Sequence, residues 1–404
     1  MSKKPTNGHL PNQPKTPVYL DYQSTTPVDP RVLEIMLPYF TEKFGNPHST
    51  SHSHGRIVAE AVEAAREDVA RLINADVREI VFTSGATESN NIAVKGAARF
   101  LKVRRDHIVT CVTEHKCVLE SVLRLEHEGF AVTRLEVGRD GLIDLDELAA
   151  AITDRTALVT IMAVNNEIGV VQPLAQIGAL AHAKGALFHT DAAQAAGKIF
   201  LDVGAMDIDL LSISGHKMYA PKGIGVLYVR RRPRVRIEPL FDGGGQERGV
   251  RSGTLPAPLC VALGAAARIA RESMAEEGAR LGTLRRRFLN AVSREIPDAA
   301  VNGSESHRFV GNINLRLPGV DAQRLLEQVP ELSLSLGSAC TSAAVEPSYV
   351  LRAIGLRDEE AGASLRVGLG RFTSEAEIDF AAERLGAAVG RLRNGDGKLP
   401  SAAQ

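Results

Sequence analysis

The chain has 404 residues, and its 48 lysines and arginines balance 48 aspartates and glutamates, so its formal net charge is zero. This length allows two domains with sizeable cores, and the charge balance argues against nucleic acid or an anionic membrane as the main partner. No apolar stretch approaches the length of a membrane span. The four cysteines form no CxxC pair, which disfavours structural zinc and indicates free thiols in a reducing, cytoplasmic setting.

The N-terminal part of the chain combines a polar tail with the first ordered elements. Residues 1–17 are rich in Pro, Asn, Lys and Thr, and we expect them to form a disordered tail without a secretory signal. A short strand is predicted at residues 18–21 and an amphipathic helix at residues 56–72. Three histidines lie between residues 48 and 54, but no neighbouring carboxylate or thiol completes a ligand set, so a metal site there is disfavoured.

Strands alternate with helices through the middle of the chain. Apolar runs of strand length occur repeatedly, and most are followed by a short polar cluster and then a helix. This alternation predicts an α/β fold with a mostly parallel sheet that is covered by helices on both faces. The predicted strands are residues 80–82, 108–112, 158–164, 187–189 and 225–229, and a further strand opens the stretch 210–217.

Polar side chains gather where these strands end. Parallel sheets bind ligands outside the carboxyl ends of their strands. We therefore predict one crevice that holds Thr87, His115, Asn166, Asp191, Gln194, His216 and Lys217. Partial desolvation of Lys217 would favour a neutral amine that can form a Schiff base with an aldehyde. Taken alone, each residue also has an ordinary alternative, such as a solvated lysine, a helix cap or a buried core histidine.

Taken together, these residue types match a single ligand. The amine suits an aldehyde, the carboxylate suits a pyridinium nitrogen, and the imidazole suits a ring face. The turn at residues 84–87, with a helix N-terminus behind it, suits a phosphate. Pyridoxal 5′-phosphate (PLP) has all four features, and its ring acts as an electron sink once its nitrogen is held protonated.

A cysteine near the C-terminus indicates the type of reaction. Cys340 lies among Gly, Ser and Ala residues, a composition that favours an exposed loop in which a thiol is accessible and can ionise. Cys111 and Cys260 lie in apolar runs and are expected to be inert packing residues. Cys117 begins a helix beside His115 and is the rival reactive thiol, ranked below Cys340 because a helix would hold it in place.

The pattern changes in the last third of the chain. A charged helix is predicted at residues 271–292, followed by shorter strands and by a loose tail at residues 394–404. We place a boundary near Ile269 and expect a large domain at residues 18–270 and a smaller α+β domain at residues 271–393. The first strand could belong to either domain.

Five motifs resemble those of the cysteine desulfurases of the IscS/NifS family. They are Ser-Gly-His-Lys at 214–217, Thr-Glu-His-Lys at 113–116, Gly-Ala-Thr-Glu at 85–88, Asp-Ala-Ala-Gln at 191–194 and Gly-Ser-Ala-Cys-Thr-Ser at 337–342. The likeness covers about residues 18–393 and is greatest to the housekeeping IscS branch. It implies a class-V, fold-type I PLP enzyme with a mostly parallel seven-stranded sheet. Such an enzyme is a homodimer that releases sulfur from L-cysteine and leaves L-alanine.

The same resemblance implies a role for each matching residue. Lys217 would hold PLP as a Schiff base, His115 would stack on the ring and assist proton transfer, and Cys340 would become a persulfide. Asn166 and Arg366 would bind the substrate carboxylate, which suits the planar fork of arginine. The other cofactor contacts would be Asp191 to the ring nitrogen, Gln194 to the ring hydroxyl, Thr87, Ser214, His216 and, from the other subunit, Thr254 to the phosphate, with Ala86 and Asn166 beside them.

The resemblance also implies acceptors for the sulfur. Cys340 would pass it to proteins such as an iron–sulfur scaffold, for cluster assembly, tRNA thiolation or both, and would transiently ligate a cluster. Two alternatives are a selenocysteine lyase or other PLP enzyme, and a non-catalytic sulfur carrier or scaffold that kept the fold. An aminotransferase has no need of the loop cysteine, and a scaffold has no need of the full set of lysine, aspartate, histidine and cysteine.

Overall fold

The computed structural model describes residues 14–337 and 347–395. Within these ranges the strands are β1 (Val18–Tyr19), β2 (Ile80–Thr83), β3 (His107–Cys111), β4 (Ala131–Leu135), β5 (Thr156–Thr160), β6 (Leu187–Asp191), β7 (Leu210–Ser214), β8 (Gly225–Val229), β9 (Ala300–Val301), β10 (Asn312–Arg316), β11 (Leu332–Ser333) and β12 (Ser364–Gly368). The α-helices are α1 (Pro30–Met36), α2 (Pro38–Thr41), α3 (Ser53–Leu72), α4 (Ala86–Leu101), α5 (Lys116–His127), α6 (Leu145–Ala151), α7 (Leu174–Ala183), α8 (Ala257–Glu295), α9 (Ala322–Gln328), α10 (Tyr349–Ala353), α11 (Asp358–Gly362) and α12 (Glu375–Arg393).

A seven-stranded sheet forms the centre of the fold, in the order β2-β8-β7-β6-β5-β3-β4. β8 runs antiparallel to both of its neighbours, and every other adjacent pair is parallel. The predicted α/β class and the mostly parallel seven-stranded sheet are therefore confirmed. The sequence pattern does not reveal β4, because this edge strand is largely exposed or half-buried and carries no continuous apolar run.

Alternate residues of the central strands enter two different cores. In β7, Leu210 packs with side chains of α4 and α5, whereas Leu211 and Ile213 pack in the core that includes α3 and α8. The same alternation separates Leu227 from Val226 in β8. Because helices cover both faces, the central strands are buried along their whole length and read as continuous apolar runs.

The C-terminal part of the chain adds two smaller sheets. β12, β10 and β9 form an antiparallel sheet in that order, with Leu315 of β10 opposite Leu365 of β12. β1 pairs in parallel with β11, so the first strand of the chain is bonded to a strand from the C-terminal part. This pairing brings the residues that follow β1 towards the carboxyl edge of the central sheet.

The longest helix, α8, corrects one expectation from the sequence. The predicted helix start at residue 271 and the boundary near Ile269 both fall inside this single 39-residue helix. Its first part is buried from Cys260 to Ala270 except at Arg268, and its second part buries only one stripe, which includes Leu281 and Phe288. The composition changes because the helix leaves the large core, not because a new element begins. α8 is too polar to cross a membrane, and no other described helix is long and apolar enough to do so.

Candidate active site

A cavity of about 450 Å³ opens at the carboxyl edge of the central sheet. It is bounded by the turns that follow β2, β3, β5, β6 and β7, and by the segment after β1. Because these strands run in one direction, their ends meet at the same edge. The residues predicted for the site that line this cavity are Ala86, Thr87, His115, Asn166, Asp191, Gln194, Ser214, His216, Lys217 and Arg366.

Lys217 is the last residue of a short 3-10 helix (Gly215–Lys217) that follows β7. Gly215 allows this tight turn, because a side chain there would lie 2.8 Å from Ile224 Cγ2 and 3.0 Å from the Ile224 carbonyl oxygen. The Lys217 Nζ donates to the backbone carbonyls of Gln23 at 2.5 Å and Ser24 at 2.6 Å. The amine is thereby aimed at the segment that closes the cavity opposite the sheet.

Asp191 is the last residue of β6 and is almost fully buried. Its Oδ2 accepts from Asn90 Nδ2 at 2.7 Å, and its Oδ1 accepts from the backbone N–H of Ala193 at 2.8 Å. Two directed donors hold a carboxylate in one orientation. One oxygen of Asp191 therefore fixes the following turn, and the side chain also lines the cavity.

His115 occupies the N-cap position of α5. Its Nδ1 accepts from the backbone N–H of Cys117 at 3.3 Å and lies 3.0 Å from the Cys117 Sγ. Since Nδ1 serves as an acceptor, the ring proton of the neutral imidazole resides on Nε2. Burial lowers the pKa of His115, with Asp191 opposing this shift and Lys217 adding to it. A neutral imidazole in this position can take up or release a proton.

The Cys117 thiol is the rival nucleophile from the sequence, and the structure argues against that role. It is enclosed between His115 and Asn90, and burial raises its pKa to about 12. A protonated thiol is a poor nucleophile. Cys117 is half-buried, and Cys111 and Cys260 are fully buried. Cys340 lies outside the described residues.

The turn between β2 and α4 presents a helix N-terminus to the cavity. Gly85 is the N-cap residue of α4, and no side chain caps this helix. The alternative in which a serine or threonine simply caps the helix is therefore wrong here. A side chain at Gly225 would lie 2.6 Å from the Gly85 Cα, so β8 can approach the turn closely. Uncapped N–H groups and the helix dipole make this turn suited to an anion such as phosphate.

Arg366 lies in the middle of β12 and is only 2% exposed. Its guanidinium donates to the Asn166 carbonyl at 3.0 Å, to Asp21 Oδ1 at 2.9 Å and to Ser24 Oγ at 2.7 Å. Without the family resemblance this arginine would have been assigned to the surface. Its position between Leu365 and Val367 was the signal in the sequence, because a charge between two apolar residues of a buried strand must be paired.

Sequence reasoning missed several polar residues of the site. Gln23 and Ser24 line the cavity, and Asn90 holds Asp191 from the next turn of α4 after Thr87. Among the predicted residues, Thr254 does not line the cavity and is exposed. The histidine loop also has a structural role, since His52 accepts from the backbone N–H of Gly55 and caps α3.

Known proteins resemble this chain over nearly its whole length. The model of the aminotransferase class-V family matches residues 18–380. The cysteine desulfurase IscS of Rickettsia felis is 55% identical over 382 residues, which are 95% of this chain and 93% of that protein.

Solved structures agree with this relationship. A NifS-like protein superposes with a TM-score of 0.86 at 33% identity, covering 92% of this chain and 99% of that one. The structure of SspA in complex with cysteine superposes with a TM-score of 0.78 at 39% identity, covering 88% of this chain and 99% of that one. The chain therefore belongs to the class-V aminotransferase family, in the branch of the IscS and NifS cysteine desulfurases.

Proposed function

We propose that this chain is a cysteine desulfurase that holds PLP at Lys217 and transfers sulfur from L-cysteine to Cys340. One observation carries the proposal. A single cavity encloses the amine of Lys217, the carboxylate of Asp191, the imidazole of His115 and the uncapped N-terminus of α4. These four groups are the ones that PLP requires.

The residues around the cavity fit this cofactor. Its volume of about 450 Å³ lies in the range of about 300–1,000 Å³ that is usual for small-molecule sites. Among the described residues, the buried Asn166 Oδ1 and Arg366 Nε have no hydrogen-bond partner. Buried polar atoms are normally paired, so these two are available to a ligand. When bound, PLP supplies an electron sink that lets an amino acid lose its α-proton.

Three side chains would hold the ring. Asp191, fixed by Asn90 and by the N–H of Ala193, would keep the ring nitrogen protonated. His115 would lie against the ring face, and Gln194 would donate to the ring oxygen. His115 follows β3, whereas Asp191 ends β6 and Gln194 lies in the turn after it, so two strand ends of the sheet set their spacing.

The phosphate would be bound at the N-terminus of α4. The cavity lining there offers the N-terminal N–H groups of this helix, and Thr87, Ser214 and His216 also line the cavity. Thr254 is exposed and lies outside the cavity lining, so we assign its phosphate contact to a second subunit of a homodimer.

The substrate carboxylate would be bound by Asn166 and Arg366. Arg366 is already oriented by three hydrogen bonds, so little side-chain entropy is lost when a carboxylate binds. Lys217 would remove the α-proton of the bound L-cysteine, with His115 as a second proton carrier. His115 suits the role of second proton carrier because its imidazole is neutral and lines the same cavity as the Lys217 amine.

Sulfur transfer requires a nucleophile that can reach the substrate and leave again. The Cys340 thiolate would form an S–S bond with the substrate sulfur while the Cβ–S bond breaks. The bonding electrons stay with the carbon fragment, which takes up a proton and leaves as L-alanine. Cys340 is left as a persulfide, which balances the atoms and electrons of the step.

The persulfide would then be collected by acceptor proteins. We propose an iron–sulfur scaffold as one acceptor, with tRNA thiolation as a second use of the sulfur and transient cluster ligation by Cys340 during transfer. A cytoplasmic location accords with the few cysteines, none of which lies in a CxxC pair. Neither a membrane nor a nucleic acid is proposed as a direct partner.

A pair of cysteine variants tests this function. In PLP-loaded Cys340→Ser we expect the visible absorbance and its change on adding L-cysteine to persist, while alanine formation falls by about 100-fold or more. Cys117→Ser, which keeps a hydroxyl beside His115, should still form alanine and a persulfide on Cys340, as measured by amino-acid analysis and mass spectrometry. Undiminished alanine and sulfide from Cys340→Ser would show that another group accepts the sulfur, as in a PLP enzyme of a different kind.

A further inference from the structure

A second lysine lies against the site without a role in the function proposed above. Lys198 follows the turn after β6, and its Nζ donates to Gln194 Oε1 at 2.7 Å. The same ammonium lies 5.4 Å from the centre of the Phe309 ring. An amine that is enclosed between an amide oxygen and an aromatic ring is held in one place.

The Gln194 carboxamide is oriented from both of its ends. Its Nε2 donates to the backbone carbonyl of Gln23 at 2.8 Å, and its Oε1 accepts from Lys198. A carbonyl cannot donate and an amine held this way donates, so both partners fix the same orientation of the amide. The amide nitrogen carries two N–H groups, and the contact with Gln23 uses one of them. The second N–H is left for the cavity that Gln194 lines.

The contacts form a continuous chain to the reactive amine. The Gln23 carbonyl that accepts from Gln194 also accepts from Lys217 at 2.5 Å. Gln23 is itself fixed, since its side-chain Nε2 donates to the Gly311 carbonyl at 3.0 Å. Two groups, the Gln194 carboxamide and the Gln23 carbonyl, therefore connect Lys198 to Lys217 through hydrogen bonds.

We propose that Lys198 is a positioning residue that fixes and polarises the Gln194 carboxamide, so that its second N–H becomes a strong donor to the ring oxygen of bound PLP. The inference rests on the proposed function only for the identity of the occupant. A hydrogen bond to a positively charged donor polarises the amide, and a polarised amide is the better donor at its nitrogen.

The charge state of Lys198 is compatible with this role. Burial lowers its pKa to about 7, with the positive charges of Lys217 and Arg366 acting in the same direction and Glu277 opposing them. Near neutral pH the amine donates in either form, and its protonated fraction polarises Gln194 most strongly.

The measured quantity is the pH midpoint at which the visible absorption spectrum of the PLP-loaded protein changes from its low-pH to its high-pH form. We expect Lys198→Met to raise this midpoint by about one unit, because a ring oxygen with a weaker donor holds its shared proton more tightly. Lys198→Arg keeps a charged donor and should move the midpoint by much less. The exposed Lys184→Met is the matched control and should match the wild type.

A wild-type midpoint in folded, PLP-loaded Lys198→Met would overturn the role of Lys198 and leave the proposed function standing. If Lys198→Met does not fold, the midpoints of Lys198→Gln and Lys198→Arg are compared instead. A midpoint that is raised in Lys198→Gln but not in Lys198→Arg supports the inference. Equal midpoints in these two variants overturn it. Wild-type protein that binds no PLP would overturn both proposals together.

Discussion

Arg366 places a charge inside a fully buried strand, and three acceptors bind its two terminal nitrogens while Nε stays unpaired. Its partners lie in the segment after β1 and in the turn after β5, so one guanidinium joins three parts of the chain. A lysine could not reproduce this arrangement, since it has one nitrogen in place of a planar fork. We therefore expect Arg366 to determine both the shape of this side of the cavity and the affinity of the cavity for a carboxylate.

The variant Arg366→Lys tests this expectation. We predict that the KM for L-cysteine rises by about 10- to 100-fold, as expected for loss of a charged hydrogen bond worth about 1.5–3 kcal/mol. Arg371→Lys is the control, because Arg371 pairs with Asp29 and Glu277 outside the cavity. It should lower the thermal midpoint without changing KM. An unchanged KM in Arg366→Lys would contradict the assignment of Arg366 to the substrate carboxylate.

The residues of the site differ in how far the sequence reveals them. Lys217, Asp191 and Thr87 could be placed because each follows an apolar strand, and parallel strands end at one edge. Gln23 and Lys198 could not, because they reach the site only through the pairing of β1 with β11 and through the turn after β6. Contacts of this kind depend on tertiary packing, which no local pattern encodes.

At the scale of elements, a glycine allows α3 and α8 to approach each other closely where they cross. A side chain at Gly264 would lie 2.4 Å from the Ala65 Cα and 2.6 Å from its Cβ. Separations below about 3 Å force the backbones apart, since protein interiors are close-packed. The small residue is therefore required by the approach of the two helices, and not by its backbone conformation.

Two glycines of the same helix provide a matched test of this contact. Gly264→Ala should destabilise the protein by about 1–3 kcal/mol, the usual cost of overpacking. Gly278→Ala, where a new methyl group has nothing within 4 Å, should stabilise it by up to about 1 kcal/mol through helix propensity. Urea unfolding measures both. Equal effects of the two substitutions would mean that helix propensity alone governs these positions.

The same helix shows where element prediction fails. The apolar sequence before residue 271 and the charged sequence after it predict two segments, yet they form one helix that leaves the core part-way along. Periodicity describes which face is buried, but it does not tell whether a change of environment is also a break in the chain. The division into a large and a small domain stays a prediction.

At the scale of the whole molecule, a polar chain runs through the middle of the sheet. His189 of β6 bonds to Thr160 of β5 at 2.8 Å through Nδ1 and to Ser212 of β7 at 3.1 Å through Nε2. Burial lowers the pKa of His189 to about 3. The folded protein thus holds this imidazole neutral, whereas the unfolded chain protonates it below about pH 6.5.

This difference predicts how stability depends on pH. Because the folded pKa is depressed, the contribution of His189 is complete above about pH 6.5 and is lost as the pH falls towards 3, by at most about 1.4 kcal/mol per unit. The buried carboxyls of Glu114 and Glu167, whose pKa values are raised, change stability in the opposite direction. Their contribution cancels when two variants are compared.

The comparison uses His189→Gln and the exposed His127→Gln. Between pH 6.5 and 5, the unfolding free energy of wild type and of His127→Gln should fall more steeply than that of His189→Gln. The difference between the slopes should correspond to the uptake of about one proton on unfolding. Urea titrations at several pH values measure these slopes. Parallel curves for all three proteins would contradict the burial of a neutral His189.

The central claim is that the amine at the end of β7 carries the cofactor. Borohydride reduction of the PLP-loaded protein, followed by proteolysis and mass spectrometry, reads out which lysine is modified. Our account predicts a single reduced pyridoxyl adduct on the peptide that contains Lys217. An adduct on another lysine, such as Lys198 or the cavity-lining Lys222, or the absence of any adduct, would contradict it.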